Sequence, residues 1–334
     1  MNAPALADIL NARQRIEGII RATPCDPSPS LGAHMGQPVW LKHEHHQHTG
    51  SFKLRGAANA VAQLTPEERA RGVVAVSTGN HGRALAYAAR KAGVRCVICM
   101  SALVPDNKLR AIRAEGAETR IIGRSQDEAQ AEVDRLIADQ GMVMIPPFDD
   151  PRIIAGQGTL GLEMLEALPD LATMLVPLSG GGLIAGVALA LKARRPGIRV
   201  IGVSMQRGAA MQASLAAGRP VQVDELPTLA DSLGGGIGLD NRYSFAMARD
   251  LVDDVLTLSE PEIAAGIRHC YFEERQIVEG AGAVGVAALL SGRMSGQIAA
   301  QGPVGLLLSG GNIDMRLHHR LICGEDVDLM QERA

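Results

Sequence analysis

The chain has 334 residues, 46% hydrophobic and 21% charged, with a net charge of −3 at pH 7. That length accommodates about two domains with sizeable cores, in a composition ordinary for a soluble globular protein. Scattered basic residues and only 2% aromatics argue against a nucleic-acid surface, which needs a basic face and rings for base stacking.

The N-terminal stretch "MNAPALADILNARQRIEGII" alternates charged and apolar residues at helical spacing. It lacks a basic segment followed by an apolar core, so it is not a secretory signal. No run approaches the ~20 apolar residues of a membrane span, and a cytoplasmic protein with no membrane partner is expected. Five cysteines, an odd number, do not read as a disulfide framework.

Next comes "HEHHQHTGSFKLRG", residues 43–56, with four of the nine histidines in six positions and then Lys53 between Phe52 and Leu54. Two chemistries compete here, a metal held by imidazoles or a single reactive amine. In a strand, His43 and His45 would share one face and His46 and His48 the other, and such pairs can chelate zinc.

From Gly72 onward, short β-branched runs alternate with Ala-rich helical ones. "VVAVS" precedes "GRALAYAARKAG", "RCVICM" precedes "PDNKLRAIRAEGA", "ETRIIG" precedes "SQDEAQAEVDRLIADQG", and "MVMIP" follows. A second series runs "TMLVPLS", "GLIAGVALALKARRPG", "RVIGVSM", "AAMQASLAAG", with "PVGLLLS" as a late apolar strand. The pattern predicts an α/β fold with two open parallel twisted sheets flanked by helices. The punctuation "PPFDDP" places a boundary near Pro146 to Pro151. Cys96 and Cys99 form a C-x-x-C inside the apolar run "VRCVICM", which reads as a buried strand and not a redox pair.

Three Gly-rich stretches compete for a phosphate: "SGGGLIAG" (179–186), "LGGGIG" (233–238) and "LSGGN" (308–312). A phosphate cradle wants a strand before it and a helix after it, so that backbone N–H groups and the helix dipole close on the anion. Only 179–186 meets both conditions. A tight strand–helix turn without a ligand is the plain alternative. No Gly-Lys-Ser/Thr follows, which excludes a Walker loop. Ser204 stands where a dinucleotide site needs an acid, which argues against NAD.

There are five lysines against twenty-eight arginines. Lys42, Lys91, Lys108 and Lys192 sit among neighbours that read as solvated. Lys53 follows a polar loop and opens an apolar helical run. Partial desolvation there would lower its pKa and make it a better nucleophile toward an aldehyde. A lysine beside an aromatic, with a separate phosphate cradle, suggests pyridoxal phosphate.

At these residues the chain resembles a known family. "TGSFKLRGA", "STGNHGRALAYAA", "AGQGTLGLE", "SGGGLIAG" and "LSGGNID" stand in the order seen in the threonine dehydratase and serine racemase family, the fold-type II pyridoxal-phosphate enzymes. The likeness runs from about Ile16 to about Asp314. It implies a large cofactor-binding domain over 1–68 and 151–334, and a small domain over 69–150 carrying the Ser-Thr-Gly-Asn-His loop. It implies that Lys53 is the Schiff-base lysine with Phe52 against the ring. Asn80 would meet the pyridoxal hydroxyl, Gly180, Gly181, Gly182 and Leu183 the phosphate, and Ser309 the pyridine nitrogen. Ser77, Thr78, Gly79 and His81 would receive the substrate carboxylate, and Glu279 would lie near the site or serve only as a helix cap. A serine at the ring nitrogen makes a milder electron sink than an aspartate would. The implied chemistry is β-elimination of water from a 3-hydroxy amino acid, with Lys53 also removing the Cα proton. A homodimer is the family expectation.

Three departures qualify the likeness. Thr78 stands where racemases have a second acid/base serine, so an amino-acid racemase is the enzyme alternative. Ser204, Gly208 and Ala210 replace the acids that hold a divalent cation in related racemases, and no metal is expected. Ser232 in "LADSLGGGIG" replaces a usual glycine on the substrate side. The chain ends about twenty residues after "LSGGNID", without room for a regulatory domain, which suggests a catabolic role. The Ser232 variant and short length look most like dehydratases of hydroxyectoine utilisation. A catalytically silent amino-acid sensor is the non-enzyme alternative; the intact Lys53 argues against it. Between the two chemistries of residues 43–56, the amine is favoured over a catalytic metal.

Overall fold

A computed structural model describes residues 2–104, 106–294, 296–298 and 301–333. The chain opens with α1 (Leu6–Ile16), β1 (Cys25–Pro27), α2 (Pro29–Met35), β2 (Val39–Lys42), α3 (Lys53–Ala62) and α4 (Pro66–Arg71). A βα series follows: β3 (Val73–Val76), α5 (Asn80–Lys91), β4 (Cys96–Met100), α6 (Asp106–Ala114), β5 (Glu118–Ile121), α7 (Gln126–Gln140) and β6 (Val143–Met144). Then come α8 (Pro151–Ala167), β7 (Thr173–Pro177), α9 (Gly182–Arg194), β8 (Arg199–Met205), α10 (Ala210–Ala217), α11 (Ser244–Leu251) and β9 (Asp254–Leu258). The last elements are α12 (Glu260–Phe272), α13 (Gly280–Leu290), β10 (Val304–Leu307) and α14 (Met315–Ile322).

The strands form two sheets, as the alternating pattern predicts. One has six strands in the order β1-β2-β10-β7-β8-β9, and the other four in the order β5-β4-β3-β6. The smaller sheet is parallel throughout. The larger is parallel except for β1, which runs antiparallel to β2. That hairpin, together with β9, lies outside the strands read from the sequence. Both β1 and β9 are edge strands with little continuous apolar signal.

Both faces of each sheet are covered, which is why the strands read as unbroken apolar runs. In the larger sheet Leu175, Ile201 and Val203 face α12 and α13, while Met174, Val176 and Val200 face α8 and α9. In the smaller sheet Val74, Val97 and Cys99 pack on α7, and Val73, Ala75 and Ile98 on α5. Leu54, Ala57 and Val61 of α3 join that last cluster. The helix that begins with Lys53 is therefore buried in the core of the smaller sheet. No helix among the described residues is long and apolar enough to cross a membrane.

Candidate active site

Parallel α/β sheets place ligands beyond the carboxyl ends of their strands. Four such ends meet here: β2 leads into 43–52, β3 into 77–79, β7 into 179–181 and β10 into 308–312. Backbone bonds sew two of these segments together. The His45 N–H donates to Leu308 O (2.9 Å) and the Phe52 N–H to Ser309 O (3.0 Å), and Ser51 bridges to Gly310. Gly50, at φ +74°, leaves room for Asn312: a Cβ there would stand 2.5 Å from its Oδ1.

Lys53 is the first residue of α3. Its ammonium lies 5.4 Å from the Phe52 ring centroid and donates to Pro147 O at 2.8 Å. Burial pushes its pKa down to about 8, against the opposing pull of Glu279. Such an amine holds a substantial neutral fraction near physiological pH.

Glu279 opens α13 and is 4% exposed. It accepts from Asn80 Nδ2 (2.7 Å) and from the Asn312 N–H (3.2 Å). Burial, reinforced by the Asp231 carboxylate, pushes its pKa up to about 7. The carboxyl can come this close because residue 310 is glycine, where a Cβ would meet Glu279 Oε1 at 2.5 Å. Asn312 Nδ2 donates to Asn80 Oδ1 (2.6 Å) and Thr49 O (3.0 Å), and Arg83 donates to Asn312 Oδ1 (2.8 Å). Ser232 Oγ lies 3.4 Å from Asn80 Nδ2, on a short turn whose Asp231 is paired with Lys108.

The loop 77–79 joins β3 to α5. Ser77 Oγ accepts from the N–H groups of Gly79 (3.3 Å) and Gly82 (2.9 Å), so this hydroxyl builds the turn. His81 faces inward and donates to Ile145 O at 2.8 Å. Burial, with Lys53 nearby, lowers its pKa to about 3 and keeps it neutral. Its side chain therefore serves the loop's architecture.

At the end of β7, Gly181 has φ +88° and α9 starts at Gly182 with no side-chain cap. A Cβ on Gly180 would stand 2.3 Å from the Phe148 ring, and one on Gly182 would stand 2.7 Å from Phe148 O. Only glycines let the chain pass this close. Ser244 Oγ braces the loop from behind by donating to Gly180 O at 2.6 Å. Ser309 is 2% exposed, with its hydroxyl donating to Ala281 O at 3.3 Å.

The structure thus gathers Lys53, Phe52, Asn80, Ser232, Ser309 and the loops 77–81 and 180–183 around four strand ends. The sequence reading missed Pro147, Phe148 and Asn312. "PPFDDP" reads as punctuation, but two of its residues wall the site. Two expectations need correction. Lys42 is 3% exposed, not solvated, and is paired with Glu163 at 2.7 Å. The histidines do not lie on a strand: residues 44–46 form a 3₁₀ turn that brings His43, His45 and His46 together. Cys96 and Cys99 do sit in a buried strand, where desolvation raises their thiols to about 12 and about 11.

Comparison with known proteins decides what this arrangement is. Residues 16–310 match the family described as "Pyridoxal-phosphate dependent enzyme". The chain belongs to this family. It is 62% identical over 320 residues to a Sinorhizobium fredii protein named "Putative threonine dehydratase", covering 96% of both chains. It is 40% identical over 318 residues to the L-threonine ammonia-lyase of Thermotoga maritima, covering 95% of this chain and 78% of that one. Maize serine racemase superposes with a TM-score of 0.90 at 34% identity, covering 96% of this chain and 97% of that one. The cofactor of this pyridoxal-phosphate enzyme fits the residues present. Lys53 offers the desolvated amine, and the glycine turn at the start of α9 offers free N–H donors and the positive end of a helix dipole to an anion.

Proposed function

We propose that the protein is an ammonia-lyase that eliminates the β-hydroxyl of a 3-hydroxy amino acid, giving a 2-oxo acid and ammonia. The observation that carries this reading is Lys53: one buried amine, its pKa lowered to about 8, held at the meeting of the strand ends. The named relatives support the same reaction. When bound, pyridoxal phosphate supplies an aldehyde for amines and an electron sink at Cα.

In this reading the Lys53 amine would hold the cofactor's aldehyde carbon, and the same amine would take the Cα proton as general base. Gly180, Gly181, Gly182 and Leu183 would hold the phosphate, Phe52 would lie against the ring and Asn80 would meet its hydroxyl. Ser77 to Gly79 would give backbone donors to the substrate carboxylate, and Thr78 would be the candidate to hand on a proton. Ser309 serves the ring nitrogen with a hydroxyl, which does not hold that nitrogen protonated as a carboxylate would. This favours prompt loss of a β-hydroxyl. The division into a 69–150 unit and a 1–68/151–334 unit belongs to the same reading and is supported by sheet membership, as are a homodimer and a cytoplasmic location by family resemblance.

For the substrate, we propose a hydroxylated amino acid longer than serine, of the kind met in hydroxyectoine breakdown. Ser232 beside Asn80, with the buried Glu279 next to it and Asp231 paired to Lys108, suits a distal polar group. The test is 2-oxo acid release from L-serine, L-threonine, the 3-hydroxyaspartates and 3-hydroxy-2,4-diaminobutyrate. Turnover confined to serine and threonine would remove the special role of Ser232. Because maize serine racemase is so similar, D-serine formation is scored in parallel. Racemisation without 2-oxo acid would replace the lyase reading, and binding without turnover of any member would leave a sensor.

A further inference from the structure

We propose that His43, His45 and His46 form a binding site for a divalent transition-metal ion of the zinc type, separate from the cofactor site. Each residue offers a ring nitrogen, and these three atoms lie within 4.8 Å of one another. A tetrahedral zinc with ~2.05 Å bonds needs ligand nitrogens about 3.3 Å apart. The rings of His45 and His46 are 4.0 Å apart and that of His43 is 5.4 Å from each, so closing by about 1.5 Å at most on an ion falls to small rotations about His43 and the more exposed His46.

The unmet hydrogen-bonding capacity points to a ligand. His43 is 4% exposed, yet its Nδ1 has no hydrogen-bond partner and its Nε2 faces only the Asp26 carboxylate at 3.4 Å, while His45 Nδ1 is buried without a hydrogen-bond partner. Buried polar groups are nearly always satisfied. The partner that His45 does have is informative. Its Nε2 lies 2.8 Å from Gln276 Oε1, an acceptor, so the proton sits on Nε2 and the Nδ1 lone pair is free. That is the outer hydrogen bond that metal-bound imidazoles usually make.

The surrounding charge agrees. Asp26 Oδ2 stands 3.4 Å from His43 Nε2 and can supply a fourth ligand, and Glu274 adds a second nearby carboxylate. Of the cations beside the turn, Lys42 is neutralised by Glu163 and Arg21 donates to His46 O at 3.0 Å. Three imidazoles with one carboxylate select zinc, nickel or copper over magnesium and calcium. The ion would brace the turn whose backbone is tied to Leu308 and which leads into Lys53.

The test uses the cofactor-loaded full-length protein with no affinity tag. Calorimetric titration with Zn²⁺ is expected to give one equivalent per chain, and Zn²⁺ should raise the melting temperature by linkage. His46→Ala should weaken that binding at least 30-fold and abolish the thermal shift while keeping the cofactor's visible absorbance. His319→Ala, which removes the exposed imidazole beside Cys323, should change neither. No stoichiometric binding, binding unchanged in His46→Ala, or binding lost in His319→Ala would each overturn the proposal. If His46→Ala loses the cofactor absorbance, His46→Gln replaces it under the same criteria.

Discussion

Burial moves Lys53 and Glu279 toward each other, to about 8 and about 7, although they start six units apart at 10.5 and 4.5. Lys53→Ala should remove both the visible absorbance of bound cofactor and 2-oxo acid release, by at least about 10³-fold; retained turnover would sink the mechanism. Glu279 carries a stability consequence because its pKa is raised on folding. The fold prefers the protonated form, so there is no penalty below the ordinary pKa. The cost grows between pH 4.5 and 7 and is complete above 7, reaching at most about 3 kcal/mol. In cofactor-free protein, Glu279→Gln should therefore gain stability over the parent by about 2–3 kcal/mol between pH 4.5 and pH 8, read by urea denaturation. A difference that does not change with pH would show that burial does not raise this carboxyl. Lys53 was legible in the sequence because lysines are scarce and its neighbours are distinctive. The Asn80–Glu279–Asn312 network was not. Its members come from three distant segments, and only the close passage at Gly310 brings them together. Lys42 misled for a similar reason, since the Glu163 that neutralises it lies on another element.

The glycine turn between β7 and α9 is held to one path by Phe148. Gly180→Ala should weaken cofactor binding by at least tenfold, the range of about 1–3 kcal/mol for overpacking. Adding Phe148→Ala should recover part of that loss. Absorbance titration measures both, and a double variant no better than the single one would mean that the ring is not what restricts the turn. Elements were legible where an apolar run met an Ala-rich helix, as in β3 to β5, β7, β8 and β10. They were not where the strand was short or lay on an edge. β1 has three residues and a proline, and β9 alternates in burial. β2 carries a buried lysine that reads as polar. The histidine tract failed as a strand because its 3₁₀ turn is set by backbone bonds to the far end of the chain, beyond the reach of local periodicity.

At the scale of the molecule, Arg55 ties α3 to α8 and to the turn after β2. Its guanidinium is fully buried and donates to Glu44 Oε1 and Oε2 (both 2.9 Å), to Glu163 (2.6 and 2.9 Å) and to Thr159. Arg55→Met leaves Glu44 buried without its partner and should cost about 3–5 kcal/mol of stability; a loss under 1 kcal/mol in urea denaturation would mean the network is redundant. The central place of β10 has a consequence for how the chain is made. Val39 of β2 pairs with Val304, 265 residues further on, so at 5–20 residues per second that partner leaves the ribosome roughly 15–50 s later. Until β10 appears, β2 and, once it is made, β7 have open edges, whereas the smaller sheet is complete from Met144 on. Nascent chains arrested before residue 304 should resist protease around 53–62 and 73–144, which share one core, and be cut readily in 25–52. Equal resistance of both regions would mean that the larger sheet closes without its middle strand. The reactive lysine, translated early, is thus finished by almost the last strand to appear, so an abortive chain cannot display a working amine.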